Sequence, residues 1–375
     1  MAERATSDET IAAIEACQQE LPAEFPGGKL AFGFDGVVDN VRTMVETRQS
    51  PTEYERLERL SDLEDLLSDS VAKGSSLTIE WEKEGTRTGG HACHLSRAFN
   101  KLDANTLMIG TYGQPVQEPF TTEFSESTLL TIGEPGFCDA VEFDDGKLMI
   151  SETSEAASLD WEKLTERVAV ERVADALDGR DLLGVGYWNV TSALPELLDR
   201  LVEETWPLQD SPPDRIFLDP GDIRNLPDDQ IQQGAAHLEA INRKVPVTVS
   251  ANKSETEKIA GADGGEASGT LRSDAKSAHE ILGIDQYVGH GRTESAGISQ
   301  TRSTAIKVPT TDSPSMTTSA GDHFNVGFII AHLAGLSLPA AMVVGNAVAG
   351  SFVRNGVPPT YDDIYAFVDS YSEML

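Results

Sequence analysis

Short apolar runs recur along the chain and are separated by longer amphipathic segments. The runs predict buried strands near residues 29–34, 107–110, 181–186, 215–219 and 246–250. Glycine or polar residues follow these runs, and stretches suited to helices lie between them. This alternation predicts an α/β fold with a mostly parallel sheet.

Other parts of the chain have different patterns. Residues 7–20 predict an acidic amphipathic helix, and residues 51–71 predict an inserted helix. The packing face of that second helix is expected to carry Leu57, Leu60, Leu63, Leu66 and Leu67. Residues 76–81 and 137–150 alternate as half-exposed strands do, and a hairpin is expected at Asp144-Asp145-Gly146.

The chain is strongly acidic. Its 62 acidic and 29 basic residues give a formal net charge of −33, which argues against nucleic acid and anionic membrane as partners. The acids are spread along the chain, so we expect a uniformly acidic surface like that of proteins from a salt-rich cytoplasm. With 39% hydrophobic residues in regular runs, the chain does not fit intrinsic disorder.

Cysteine usage and the N-terminus both predict a cytoplasmic protein. Cys17, Cys93 and Cys138 are far apart and lack metal-ligand spacing, which indicates reduced, buried thiols. The first residues lack the apolar core of a signal peptide. The chain also has no run of about 18 apolar residues that would span a membrane.

Residues 317–328 contain the strongest chemical pattern. Small residues, Ser319 to Gly321, precede Asp322, and a long apolar run follows. This order predicts a tight loop that opens into a helix, whose free N–H groups and dipole would bind an anion. Asp322 would then lie in the first turn, where it could accept a proton from an attacking hydroxyl. The alternative is an aspartate that only caps a buried helix.

Weaker signals lie at the ends of other predicted strands. Asp35 and Asp39 follow the first strand, where two carboxylates could accept hydrogen bonds from sugar hydroxyls, or simply cap a turn. Gly89 and Gly90 precede a helix and would let the backbone approach a substrate. The same stretch carries His94, Arg87 and Arg97. The two arginines suit either an anionic substrate or structural ion pairs.

Asn252 and Glu255 follow the strand near residues 246–250. Three residues apart on a helix, the two side chains share a face and suit hydrated Mg²⁺ near phosphates. The same tetrapeptide pattern is also common as a simple helix cap.

Together these motifs resemble the PfkB, or ribokinase-like, carbohydrate kinases. Thr317, Ala320, Gly321, Asp322, Phe324 and Gly327 match the second PfkB signature, in which Ser319 replaces a glycine and Met316 replaces an aspartate. The stretch from Gly89 resembles the first signature, with His94 in place of asparagine and Ser96 in place of alanine. The Asn-x-x-Glu sequence at residue 252 resembles the family's magnesium motif.

The resemblance implies a fold and a set of site residues. We expect residues 1–375 to form one ribokinase-like domain, with lid segments at approximately 40–86 and 112–155. Asp322 would be the catalytic base, and Ser319, Ala320 and Gly321 would form the anion hole. Substrate would bind Asp35, Asp39, Gly89, Gly90, His94, Arg87 and Arg97. Nucleotide would contact Asn252, His290, Arg292 and Asn346, and Mg²⁺ would lie near Asn252 and Glu255.

The implied activity is phosphoryl transfer to a small-molecule hydroxyl. ATP is the expected donor, although the Gly-Phe-Asp-x-x-x-Asp start at residue 33 resembles ADP-dependent sugar kinases. The arginines favour a sugar phosphate, specifically ribose 1-phosphate, as acceptor. A nucleoside kinase is the alternative, with an aromatic to stack on the base from among Tyr112, Trp81 and Phe137. A sugar-binding protein without catalysis is a third reading, and a homodimer through the lid is plausible.

Overall fold

The computed structural model describes residues 5–152 and 155–375 of the chain, and this part contains fourteen strands. In chain order they are β1 (Lys29–Phe34), β2 (Val37–Arg48), β3 (Tyr54–Arg56), β4 (Glu80–Gly89), β5 (Asn105–Gly110), β6 (Thr128–Thr131), β7 (Gly136–Phe143), β8 (Gly146–Ser151), β9 (Leu182–Gly186), β10 (Ile216–Asp219), β11 (Val247–Asn252), β12 (Gln286–His290), β13 (Glu294–Ser299) and β14 (Ser303–Lys307).

The same part of the chain contains thirteen α-helices. They are α1 (Ser7–Glu20), α2 (Leu60–Lys73), α3 (His91–Asn100), α4 (Glu118–Glu123), α5 (Trp161–Arg167), α6 (Val170–Leu177), α7 (Leu194–Thr205), α8 (Asp228–Asn242), α9 (Lys253–Ala260), α10 (Leu271–Leu282), α11 (Ala320–Leu333), α12 (Leu338–Asn355) and α13 (Tyr361–Ser370). Within the described residues, no helix is both long and apolar enough to cross a membrane.

Nine strands form the main sheet, in the order β14-β13-β12-β11-β10-β9-β1-β5-β6. All neighbours from β6 to β12 are parallel, and β13 and β14 add an antiparallel edge. Successive side chains on each strand enter opposite cores: Leu183 packs with helices α5 to α10, and Leu182 packs with α1, α3 and α11 to α13. The predicted mostly parallel α/β sheet is therefore confirmed.

A second sheet, here called the lid sheet, contains β2, β3, β4, β7 and β8. The predicted hairpin is present, because β7 and β8 pair across the turn before Gly146. Two local predictions are wrong. Residues 54–56 form a strand within the segment predicted as helix, and the strand expected at residues 76–81 begins only at Glu80. Residues 128–131 fall inside the second expected lid segment but pair with β5 in the main sheet.

Helix α2 does not bury the full leucine face that its spacing predicted. Leu57 and Leu63 are buried under the lid sheet, and Leu60 packs partly against them. Leu66 and Leu67 are 40% and 49% exposed. Helical spacing gives the face on which side chains lie, but it does not say how wide the covering surface is.

The fold brings the carboxyl ends of the parallel strands to one edge, where a ligand site is expected in open α/β sheets. Asp35 follows β1, Tyr187 follows β9, and Asp219, Asn252 and His290 end β10, β11 and β12. Helix α11 begins above this edge with Ala320.

Helices α11 and α12 pack unusually closely beside that edge. A Cβ added to Gly327 would lie 2.5 Å from the carbonyl oxygen of Val344 and 2.8 Å from Cα of Gly345. A Cβ on Gly345 would lie 2.8 Å from the ring of Phe324. The small residues that the sequence shows in α12 therefore allow backbone-to-backbone contact with the helix that carries Asp322.

We predict that Gly327→Ala lowers the free energy of unfolding by about 1–3 kcal/mol, as overpacking does. In an exposed helix the same change would stabilise by about 1 kcal/mol, so the sign tests the close contact. The new Cβ meets backbone, which cannot move aside as a flexible side chain can. Urea unfolding monitored by circular dichroism in molar KCl measures the difference.

Gly261→Ala is the matched control for this prediction. Gly261 follows α9 with φ −90°, and its added Cβ would have no neighbour closer than 3.5 Å among the described residues. We expect its free energy of unfolding to change by less than about 0.5 kcal/mol. Equal stability of Gly327→Ala and the wild type would contradict the packing described here.

Candidate active site

The N-terminus of α11 has the predicted geometry, a tight turn that opens into a helix. Ser319 precedes the helix in a left-handed conformation with φ +64°, which the glycine of the family pattern would adopt more easily. Its carbonyl oxygen accepts a hydrogen bond from Nδ1 of His323 at 2.8 Å. Ala320 and Gly321 form the first turn, where backbone N–H groups lack the partners of a helix interior. The Ala320 N–H makes a long hydrogen bond to the Thr317 carbonyl at 3.3 Å.

Asp322 lies in this first turn and is 5% exposed. The hydroxyl of Tyr187 donates a hydrogen bond to its Oδ1 at 3.0 Å. Burial raises the pKa of Asp322 to about 6, and the hydrogen bond from Tyr187 opposes that rise. The carboxylate is therefore largely ionised at neutral pH and suited to accept a proton.

An inner cavity of about 320 Å³ lies beside Asp322 and is rich in acids. Asp219 is buried and accepts hydrogen bonds from the Gly221 N–H at 2.8 Å and from Nδ2 of Asn325 at 2.6 Å. Burial and the charge of Asp322 raise its pKa to about 7. The cavity is lined by Tyr187, Asn189, Asp219, Gly221, Asp222, Asn252, Glu255, His290, Ser319, Gly321 and Asp322.

Asn252 and Glu255 form a capping box at the start of α9. The Asn252 side chain accepts from the backbone N–H groups of Ser254 and Glu255, and Glu255 accepts from the Asn252 N–H at 2.7 Å. The pair also lines the inner cavity, so the capping role and the predicted place in the cleft both hold. Burial and Asp219 raise the pKa of Glu255 to about 8.

An outer cavity of about 700 Å³ adjoins the inner one. Asn252, His290 and Gly321 line both cavities, so the α11 N-terminus lies at their junction. The imidazole of His290 stacks on the Phe324 ring, with centroids 4.8 Å apart. The predicted nucleotide residues Asn252, His290, Arg292 and Asn346 all line the outer cavity.

Asn346 is held more tightly than a simple ligand contact would require. Its Nδ2 donates to Oγ of Ser295 and to the Tyr371 hydroxyl, both at 3.0 Å, and the residue is 2% exposed. The amide nitrogen therefore holds α12 against β13 and the C-terminal segment.

The Gly89-Gly90 pair makes room for two carboxylates. A Cβ on Gly90 would lie 2.6 Å from Oδ2 of Asp35, and a Cβ on Gly89 would lie 2.7 Å from Oδ2 of Asp39. Asp35 is 1% exposed and accepts the backbone N–H groups at the start of α3, from His91 at 2.8 Å and Ala92 at 3.1 Å. This use of the Asp35 carboxylate differs from the predicted substrate contact.

Asp39 is the third residue of β2 in the lid sheet and pairs with Arg87 of β4. Burial raises the pKa of its carboxyl, and the charges of Arg97 and Arg87 oppose that rise. Arg97 also lowers the pKa of Asp322, so it acts on both carboxylates.

The two arginines expected at an anionic substrate differ in environment. Arg97 forms an ion pair with Glu123 and donates to the Thr88 carbonyl at 2.8 Å. It also contacts Nδ1 of His94 at 3.1 Å, so Arg97 and His94 are both engaged within the protein. Arg87 is exposed on β4.

Sequence reasoning missed several polar groups of this cleft. Tyr187 and Asp222 each follow a strand that the sequence predicted, and that position was the available signal. His91 was also missed, although it directly follows the glycine pair.

Two comparisons relate the chain to kinases by sequence. The family model described as prokaryotic ketohexokinase matches residues 6–371. A ketohexokinase from Haloferax volcanii is 43% identical over 367 residues, covering 98% of each chain.

Solved structures share the fold at low sequence identity. Ribokinase from Thermotoga maritima has a TM-score of 0.61 at 15% identity, covering 91% of this chain and 99% of its own. Phosphofructokinase-2 from Escherichia coli has a TM-score of 0.61 at 12% identity, covering 92% and 99%. A nucleoside kinase from Methanocaldococcus jannaschii has a TM-score of 0.56 at 13% identity, covering 92% and 99%. By sequence and fold together, the chain belongs to the prokaryotic ketohexokinase family of PfkB, ribokinase-like sugar kinases.

Proposed function

We propose that this sugar kinase transfers the γ-phosphoryl group of ATP to a hydroxyl of a ketohexose such as fructose. The observation that carries the proposal is the position of Asp322. Its buried, ionisable carboxylate lies at the N-terminus of α11, where an outer cavity large enough for a nucleotide meets the acidic inner cavity. The ketohexokinase relative from Haloferax volcanii supports the choice of acceptor.

In the proposed mechanism Asp322 accepts the proton of a primary sugar hydroxyl as its oxygen attacks the γ-phosphorus. The N–H groups of the turn from Ser319 to Gly321 stabilise the charge on the moving phosphoryl group. Tyr187 donates to Oδ1 of Asp322, and the Ser319 side chain also acts on this carboxylate. In the proposed step the sugar proton moves to the other oxygen, Oδ2. Asp39 orients the sugar by accepting hydrogen bonds from its hydroxyls.

The acids of the inner cavity fit a hydrated Mg²⁺ ion beside the nucleotide. Glu255 and Asp219 are buried carboxyl groups whose negative charges repel each other. A nearby divalent cation would reduce that repulsion. Asn252 and Glu255 already hydrogen-bond each other, so they would hold the ion through its water shell. Bound there, Mg²⁺ would neutralise charge on the nucleotide phosphates.

Several contacts favour a free ketohexose over the other acceptors. Arg97 is neutralised by Glu123, so it is a poor partner for the phosphate of ribose 1-phosphate. A nucleoside would need an aromatic ring with a free face to stack on the base, but Tyr112 is fully buried. Trp81 is 39% exposed, and the guanidinium of Arg42 lies over its ring at 5.0 Å. Phe137 packs partly against the core beside Tyr112.

Three further expectations stay predictions. A single domain with its lid sheet, a homodimer formed through that sheet and a location in the cytoplasm all fit the family but depend on separate experiments. The net charge of −33 supports adaptation to high salt, so assays belong in about molar KCl. ADP belongs in the same assays as a second donor.

Asp322→Asn is predicted to lower kcat about 10²- to 10⁴-fold, the usual contribution of a general base. Asparagine has nearly the same shape but cannot accept the proton, so sugar affinity measured by calorimetry should be largely preserved. Asp362→Asn, an exposed acid on α13, is the control. Undiminished turnover by Asp322→Asn would refute the assignment of the base. If the wild-type protein binds a sugar but turns over none of the acceptors, the non-catalytic sugar-binding protein is favoured instead.

A panel of acceptors tests the substrate. With ATP and Mg²⁺ we predict turnover of fructose and none of ribose 1-phosphate or nucleosides. Asp39→Asn should lower kcat/KM for fructose about 10- to 100-fold, because it weakens hydrogen bonds to a charged group. Asp69→Asn, whose side chain is 74% exposed on α2, should behave as the wild type. A higher kcat/KM for ribose 1-phosphate than for fructose would contradict fructose as the acceptor. It would favour phosphate binding by Arg87 and Arg97.

The pH dependence of kcat/KM tests the state of Asp322. The protonated carboxyl cannot act as a base, so kcat/KM should fall about tenfold per pH unit below the pKa of about 6 and level off above it. Tyr187→Phe removes a hydrogen bond that favours the ionised form, so its acid limb should move to higher pH. An acid limb near pH 4 in the wild type would show that the carboxyl is not desolvated as described.

A further inference from the structure

His91 is a fully buried histidine at the first position of α3, and the mechanism above does not use it. It is 0% exposed, and neither ring nitrogen has a hydrogen-bond partner among the residues that the structure describes. Leaving buried polar nitrogens unpaired costs free energy, so their presence here calls for a reason.

Three contacts hold His91 in place, one through its backbone and two through its ring. Its backbone N–H donates to Asp35 at 2.8 Å, at the end of β1. The ring lies over Gly186 at the end of β9, where an added Cβ would come within 2.7 Å of its Cγ. The ring also packs edge-on against Tyr187, with centroids 5.3 Å apart and an interplanar angle of 62°. The imidazole is therefore placed by the fold rather than free to turn.

The ring faces the proposed base. Nδ1 of His91 is 3.6 Å from Oδ1 of Asp322, the same oxygen that accepts the Tyr187 hydroxyl at 3.0 Å. That separation is longer than a hydrogen bond, and catalytic hydrogen bonds often tighten only when substrate binds. Burial lowers the pKa of His91 to about 3, so the ring is neutral and carries one N–H.

We propose that His91 is a positioning residue for the phosphoryl transfer. In the substrate complex its neutral Nδ1–H donates to Oδ1 of Asp322, and together with the Tyr187 hydroxyl it fixes the carboxylate plane. Oδ2 is thereby directed at the sugar hydroxyl. The hydroxyl proton moves to Oδ2, and His91 neither gains nor loses a proton in this step. The inference rests on the proposed function, because it assigns Asp322 the role of base.

Other charged or titratable groups also act on Asp322, so His91 is one of several influences on its ionisation. Tyr187 donates to it from the end of β9, and Asp35 and Asp219 lie close at the ends of β1 and β10. Arg97 acts on it from α3. Substitutions of His91 leave these four side chains in place.

His91→Leu, His91→Asn and His91→Gln test the proposal. Leucine removes the donor, an asparagine amide reaches the place of Nδ1, and a glutamine amide reaches the place of Nε2. For His91→Leu we expect kcat to fall on the order of 100-fold with KM for fructose unchanged, as misplacement of a reacting group does. Its acid limb should move to higher pH, because the ionised carboxylate loses a donor.

Rescue and stability distinguish positioning from a merely structural role. His91→Asn should keep kcat and the acid limb near those of the wild type, while His91→Gln should resemble His91→Leu. The melting temperature of His91→Leu should equal or exceed that of the wild type, because two unpaired buried nitrogens are removed. If His91→Leu does not fold, the comparison of the asparagine and glutamine variants decides.

Three results would overturn the proposal. Wild-type kcat and pH profile in folded His91→Leu would show that the imidazole does not act on Asp322. A raised KM with unchanged kcat would make His91 a substrate contact instead. Equal kcat for the asparagine and glutamine variants would remove the assigned role of Nδ1. In each case an inactive Asp322→Asn beside an active wild type shows that the proposed function itself still stands.

Discussion

A carboxylate has to stay ionisable while it is buried, and the rest of this structure depends on that constraint. Asp322 is 5% exposed, and burial disfavours its charged form and raises its pKa to about 6. The N-terminus of α11 and the Tyr187 hydroxyl both favour its charged form. The carboxylate can therefore stay buried and still act as a base.

The site also depends on backbone segments that lie very close to carboxylate groups. Gly90 leaves room for Asp35, and Gly89 leaves room for Asp39. Asp35 in turn caps α3 and so fixes the residues that follow the glycine pair. On the other side, Gly327 brings α11 against the backbone of α12. Glycines thus set the distances between the elements that carry the acids.

The buried strands and the α11 turn could be predicted because their signals are local. Apolar runs predicted the parallel strands, and the small residues before Asp322 predicted the loop and the start of the helix. The long strand β2 has only a weak alternation, and its pairing with β4 and β7 is decided by distant residues. Leu67 on α2 shows the same limit, since helical spacing cannot tell whether a face is covered.

The candidate site was predictable only where a motif holds its residues together. Asp322 and its turn lie in one such motif, as do Asn252 and Glu255. Tyr187, Asp219 and His91 come from separate strands and helices that only the parallel topology brings to Asp322. The contact between Asp35 and the start of α3 joins residues far apart in the chain, so no local pattern could have predicted it.

A crystal structure with fructose and a non-hydrolysable ATP analogue tests the central claim most directly. The account predicts a sugar hydroxyl about 2.6–3.2 Å from Oδ2 of Asp322, with the γ-phosphate at the N–H groups of Ala320 and Gly321. It also predicts the nucleotide in the outer cavity and the sugar beside Asp39. A sugar bound with no hydroxyl within reach of Asp322, or a γ-phosphate away from the α11 turn, would contradict the account.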